Sequence, residues 1–92
     1  MFIVNRCYDY DGELSYNVNS IIGVYDDFAK AKQDLLNKLQ KMKCIYETDC
    51  DDKNYFFVWI ITKNGKDVST NKKICYEIIE KKLKINELKL KS

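Results

Sequence analysis

Eight consecutive residues, Tyr55-Phe56-Phe57-Val58-Trp59-Ile60-Ile61-Thr62, carry no charge and are β-branched or aromatic throughout. Such side chains pack well on a pleated surface and lose rotamer freedom in a helix. The run predicts a central strand covered on at least part of both faces, with Phe56, Phe57 and Trp59 in the core. Asn64-Gly65 follows, the strongest turn dipeptide in the chain, and should reverse it into a short partner strand around Asp67 and Val68.

The other elements fall on either side of that strand. Residues 1–10 are mostly apolar, β-branched or aromatic up to the turn dipeptide Asp11-Gly12, and Leu14, Tyr16 and Val18 then alternate with polar neighbours, which reads as a hairpin. Ile21-Ile22-Gly23-Val24-Tyr25 is continuously apolar, and its Gly23 marks a bulge or a close approach. Asp26 and Asp27 supply an N-cap and a first-turn carboxylate. Phe28, Ala31, Leu35, Leu39 and Met42 then recur at helical spacing, with Lys38, Lys41 and Lys43 at the carboxyl end. Cys44 to Thr48 reads as a short strand, followed by an acidic loop over residues 49–54. Near the carboxyl end Ser69, Thr70 or Asn71 offers a cap, and Ile74, Ile78, Ile85 and Leu88 share one helical face, so a second helix is expected to about Lys82. The alternating residues beyond it leave helix, edge strand and fraying all open.

The expected fold class is therefore α+β: an antiparallel sheet of four to five strands with one long helix on a face and a C-terminal helix. Ninety-two residues without a linker or internal repeat make residues 1–92 a single domain. A chain of this size supports one core and leaves little room for a deep substrate cavity. It contains no His, the commonest general base and metal ligand, and its three glycines form no phosphate-cradling loop. No catalytic residue and no cofactor is expected, and the chain reads as a non-enzyme.

Neither acidic cluster has the order of a calcium loop. Leu14 stands where the Asp9-Asp11-Glu13 series would need glycine, and Asn54 does so for Asp49-Asp51-Asp52. The cysteines Cys7, Cys44, Cys50 and Cys75 show no CxxC spacing, so no metal site is expected. The first polar residue comes at Asn5, too early for a signal peptide, and no apolar run is long enough to span a membrane. Those observations point to a cytoplasmic location, that of the host cell if the protein is viral. The thiols are then expected to be reduced and packed as small hydrophobes.

Charge divides unevenly along the chain. Residues 1–55 carry three more acids than bases, and residues 56–92 five more bases than acids. Tyr8, Tyr10 and Tyr16 stand beside Asp9, Asp11 and Glu13, a mixture that repels phosphate and suits a protein interface with a basic rim opposite. The same surface suits a homodimer through sheet packing or edge pairing. The alternative is a weak nucleic-acid binder working through the lysine-rich carboxyl half, with Lys81, Lys82 and Lys84 at its centre.

Ile22-Gly23-Val24-Tyr25-Asp26-Asp27-Phe28-Ala29-Lys30-Ala31 resembles a stretch of small phage and mobile-element α+β proteins, in which a strand ending Gly-Val-aromatic runs into an Ala-Lys helix. The likeness covers about forty residues, to Leu39. It implies a protein that binds and blocks a host protein, as defence inhibitors do, and it brings no catalytic residue. The abundance of Lys, Ile, Asn and Tyr, the signature of an AT-rich coding sequence, suits that origin. The functional expectation is a non-enzymatic interaction module that occupies a partner's surface.

Overall fold

The computed structural model describes residues 1–10, 13–15, 20–69 and 72–81, and of residues 9, 10, 13–15 and 72 only the backbone. The chain runs β1 (Phe2–Tyr10), β2 (Glu13–Ser15), β3 (Ile21–Tyr25), α1 (Phe28–Lys41), β4 (Ile45–Asp51), β5 (Tyr55–Lys63), β6 (Lys66–Asp67) and β7 (Lys72–Glu80). All strand pairs are antiparallel, in one sheet ordered β2-β1-β7-β5-β4. Two short strands complete it: β3 pairs with the first half of β1, and β6 with the end of β5. The α+β class and the long helix on one face stand, but among the described residues the sheet has seven strands rather than four to five, because the short strands β3 and β6 add to the five of the main path.

The C-terminal helix does not: the segment expected to form it is β7, a central strand between β1 and β5. Ile74 and Ile78 are four residues apart, a spacing compatible with a helical turn and with two strand repeats alike. The sheet decides between them. Ile74, Tyr76 and Ile78 pack into the core beneath α1, while Cys75 and Glu77 are buried on the opposite face. Strands β1 and β5 pair with β7 from its two sides, and a helix there would leave both ladders open. Residues 82–92, where the rest of that expectation falls, lie outside the described residues.

Helix α1 begins and ends for identifiable reasons. The Asp27 carboxylate accepts from the Ala29 N–H at 3.1 Å as N-cap, and Asp26 precedes the cap rather than lying in the first turn. At the other end the Cys44 N–H donates to the Leu39 carbonyl at 2.9 Å and the Lys43 N–H to the Gln40 carbonyl at 3.0 Å. This Schellman pair requires a left-handed residue, here Lys43 at φ 51°. The expected stripe faces inward: Ala31, Leu35 and Leu39 are buried against Val4, Phe56, Val58, Ile60, Tyr76 and Ile78. Phe28 sets its ring 5.4 Å from that of Phe2 and pins the start of the helix to β1.

The Asn64-Gly65 reversal forms as expected, with positive φ at both residues and Lys63 opposite Lys66. Gly23 lies beside a register shift in the β1–β3 ladder, and a Cβ there would meet the Tyr25 ring at 2.7 Å. One boundary moves: β4 continues to Asp51, so part of the expected acidic loop is strand. That strand tolerates the extra acids because it is an edge, exposed along nearly its whole length.

The cysteine expectation is overturned for one pair. Cys7 and Cys75 are direct partners in the β1–β7 ladder and form a disulfide, while Cys44 and Cys50 are free. A sequence separation of 68 hid from the spacing argument a contact that the strand register creates. Cys44 immediately precedes β4 and Cys50 lies near its other end, about 20 Å away along the strand.

Candidate functional site

Strand alternation divides the sheet into a face packed under α1 and a face turned away from it. On the second face Ile3, Asn5, Cys7, Phe57, Cys75 and Glu77 are all buried. Glu77 is a buried carboxylate held by neutral donors: Asn5 Nδ2 donates to Oε1 at 3.3 Å and the Tyr55 hydroxyl to Oε2 at 3.4 Å. These bonds tie β1, β7 and β5 together. Burial pushes the Tyr55 hydroxyl above its usual range, and the Glu77 carboxylate adds to the rise because a tyrosinate would face a second negative charge.

Toward β4 this face opens into a groove of about 460 Å³, lined by Glu47, Asp49, Trp59, Ile61, Ser69 and Lys73. Its floor is the Trp59 indole, which meets the Phe57 ring edge-on at 4.9 Å and has the Lys73 ammonium 6.0 Å from its centroid. Trp59 is thus half-buried, not the core residue the sequence suggests. It lies one strand from the edge, on the face without the helix.

Glu47 is the direct cross-strand partner of Trp59, so its carboxylate stands at the rim beside the indole. Asp49, two residues on, falls on the same face by strand alternation and lines the groove with it. Thr48 pairs with Val58 and Cys50 with Phe57, so the bulge at Asp49 lets Cys50 follow on that face as well. Two exposed carboxylates therefore flank an aromatic floor. The two carboxylates outnumber the one ammonium in the groove, that of Lys73, so a further cation is drawn to the rim, and one that seats on the indole shares it with Lys73 or displaces it. Beyond the rim, the outer edge of β4 has no strand partner among the described residues.

The sequence-derived interface residues fall elsewhere. Tyr8 is half-buried on the α1 side, its ring 5.9 Å from the Arg6 guanidinium. Buried Tyr76 shares that environment, its hydroxyl raised mainly by burial with Arg6 acting against the rise. Asp9, Tyr10 and Glu13 belong to the β1–β2 ladder by their backbones, and Asp11 and Tyr16 lie outside the described residues. Of the alternative lysine set, Lys81 is exposed and its N–H donates to the Met1 carbonyl at 2.7 Å, whereas Lys82 and Lys84 lie outside the described residues. Lys81 is also at the far end of β7 from Lys63 and Lys66, because β7 runs antiparallel to β5. Among the described residues, Lys81 does not join Lys63 and Lys66 in one patch.

Sequence reading missed the groove because Glu47 fell in an expected short strand, Asp49 in an expected loop and Trp59 in an expected core strand. The available signal was Glu47 and Asp49, two acids at alternate positions shortly before the aromatic run. Comparison of the chain with protein-family models, curated proteins and solved structures gave no match. No helix among the described residues is long and apolar enough to cross a membrane.

Proposed function

We propose that this protein is a non-enzymatic protein-interaction module that holds an extended, basic segment of a partner protein along the β4 side of its sheet. The observation that carries the reading is the groove in which Glu47 and Asp49 flank the half-buried Trp59 next to an open strand edge. The partner segment lays its main chain along β4 and places a Lys or Arg side chain over Trp59, with backbone pairing giving affinity and the groove giving selectivity. Under the resemblance at Ile22 to Ala31, that partner would be a host protein whose surface the module occupies.

Titration with an extended arginine-containing peptide, against a twin bearing glutamate in place of arginine, tests the reading. The basic peptide should bind and its twin should not. Trp59→Ala should weaken binding by about 2 kcal/mol, as loss of an aromatic anchor does. Glu47→Gln with Asp49→Asn should weaken it by less than about 1 kcal/mol each, in keeping with exposed charge pairs, and flatten its salt dependence. Equal binding of both peptides, or affinity indifferent to all three substitutions, would rule the groove out as the interface.

A further inference from the structure

We infer that the end of the molecule built from the carboxyl terminus of α1 and the β5–β6 turn binds the phosphate backbone of single-stranded nucleic acid. This surface is separate from the groove and goes beyond the proposed interaction with a partner protein. The Asn64 N–H donates to the Met42 carbonyl at 3.2 Å, docking the turn on the helix cap. That contact brings Lys38, Lys41 and Lys43 from the helix end together with Lys63 and Lys66 on either side of the turn. Lys63 is half-buried and the other four are exposed. The Lys63 charge reaches Cys44, where it opposes the rise in thiol pKa that burial causes.

The helix dipole accounts for the charge on Lys38, Lys41 and Lys43, since cations suit a helix carboxyl terminus. It accounts neither for Lys63 and Lys66 nor for a side chain at the backbone position of Lys43, and these work against the fold. Lys43 occupies a left-handed position at φ 51°, where glycine is unstrained. Lys63 and Lys66 are directly opposite one another, an arrangement in which like charges repel. None of the five lysines forms an ion pair among the described residues. Asp67, the acid nearest the turn, accepts from the Ser69 N–H at 2.8 Å and the Ser69 hydroxyl at 2.6 Å, so its carboxylate is committed to its own loop. Local rules broken together at one place mark a surface kept for binding rather than stability.

The choice of ligand follows from what accompanies the charge. Tyr46 is 37% exposed and lies three residues after Lys43, beside the 61% exposed Ile45. A positive track next to an accessible aromatic ring holds single strands, the ammonium groups following the phosphates while a base stacks on the ring.

Fluorescence anisotropy of a labelled oligothymidylate, with the same length of duplex and polyglutamate as competitors, tests this on the full chain. The single strand should bind, and compete better as unlabelled strand than either polymer. Lys43→Gly should weaken binding while raising the melting temperature, a pair of opposite signs that damage to the fold cannot produce. Each lysine removed at Lys43, Lys63 or Lys66 should lower the slope of log affinity against log salt by about 0.7. Tyr46→Ala should cost about tenfold in affinity for the single strand. Lys81→Thr, at the other end of the sheet, should change nothing. The proposal is overturned if the oligonucleotide does not bind, if Lys81→Thr weakens it as much as Lys43→Gly, or if polyglutamate competes better than nucleic acid, which would make the ligand an acidic protein.

Discussion

Cys7 and Cys75 stand directly opposite each other on β1 and β7, their Cα atoms 5.2 Å apart and their disulfide shielded completely from solvent. The bond joins the first long strand to the last described one, so that in the unfolded chain it closes a loop with a sequence separation of 68. Phe57, Tyr55, Trp59 and the free Cys50 pack around it.

Native, non-reduced protein should weigh two hydrogens less than the reduced chain, and a thiol reagent applied after unfolding should modify two cysteines without reductant and four with it. Replacing Cys7 and Cys75 together by Ala should remove about 4 kcal/mol of stability, from the entropy of a loop of this length. Denaturant titration of the double variant measures it, and a loss under 1 kcal/mol would show that the fold does not depend on the link.

What the sequence made legible was local in origin. Helix α1 was readable because Asp27 caps it and Ala31, Leu35 and Leu39 repeat at its period, both properties of neighbouring residues. The Asn64-Gly65 turn was readable for the same reason. Strand β7 was not, because Ile74 and Ile78 satisfy two periods and the choice is made by β1 and β5. The groove was hidden more deeply. Glu47 and Asp49 alternate as a strand requires, but that they meet Trp59 depends on the β4–β5 register, and Trp59 is only half-buried because the helix covers the other face, neither of which any short window of sequence contains.

Two substitutions in the left-handed backbone region should act with opposite sign. Lys43→Gly relieves a non-glycine residue at φ 51° and should stabilise the protein by about 1 kcal/mol. Gly65→Ala forces a side chain onto φ 80° and should destabilise it by about 1 kcal/mol, although a Cβ there meets nothing within 4 Å. Thermal melts of the two variants beside the parent check both, and a shared sign would contradict the assigned turn conformations.

Stability should be insensitive to pH through the neutral range as far as these groups are concerned, and fall in alkali. The hydroxyls of Tyr25, Tyr55 and Tyr76 are all raised above the model-compound value of 10.0, chiefly by burial. A raised pKa means the folded state holds its proton more tightly than the unfolded chain. The contribution is therefore fully present below pH 10 and is lost as the pH climbs through the folded-state values. Tyrosinate absorbance should show these groups ionising later than free tyrosine, and Glu77→Gln should bring the Tyr55 step earlier. No change on that substitution would separate Tyr55 from Glu77.

Leu39 and Trp59 test the assignment of the two faces. Leu39 is fully buried between α1 and the sheet, so Leu39→Ala removes packed volume from a site with no solvent to fill it and should cost about 2 to 5 kcal/mol. Trp59 is the larger side chain, but one side of its ring opens on the groove and its best-defined packing contact is the edge-on meeting with Phe57. Trp59→Ala should therefore cost less, about 1 to 2 kcal/mol, of which roughly 1 is the aromatic pair. Circular dichroism during denaturant unfolding compares the two without relying on indole emission, which the second variant lacks because Trp59 is the chain's one tryptophan. In the parent protein the same residue serves as its own reporter: a basic peptide that seats over the indole should change its emission, and the change should need a higher peptide concentration with Glu47→Gln and Asp49→Asn. A larger loss for Trp59→Ala than for Leu39→Ala would place the indole inside the core and remove the floor from the groove.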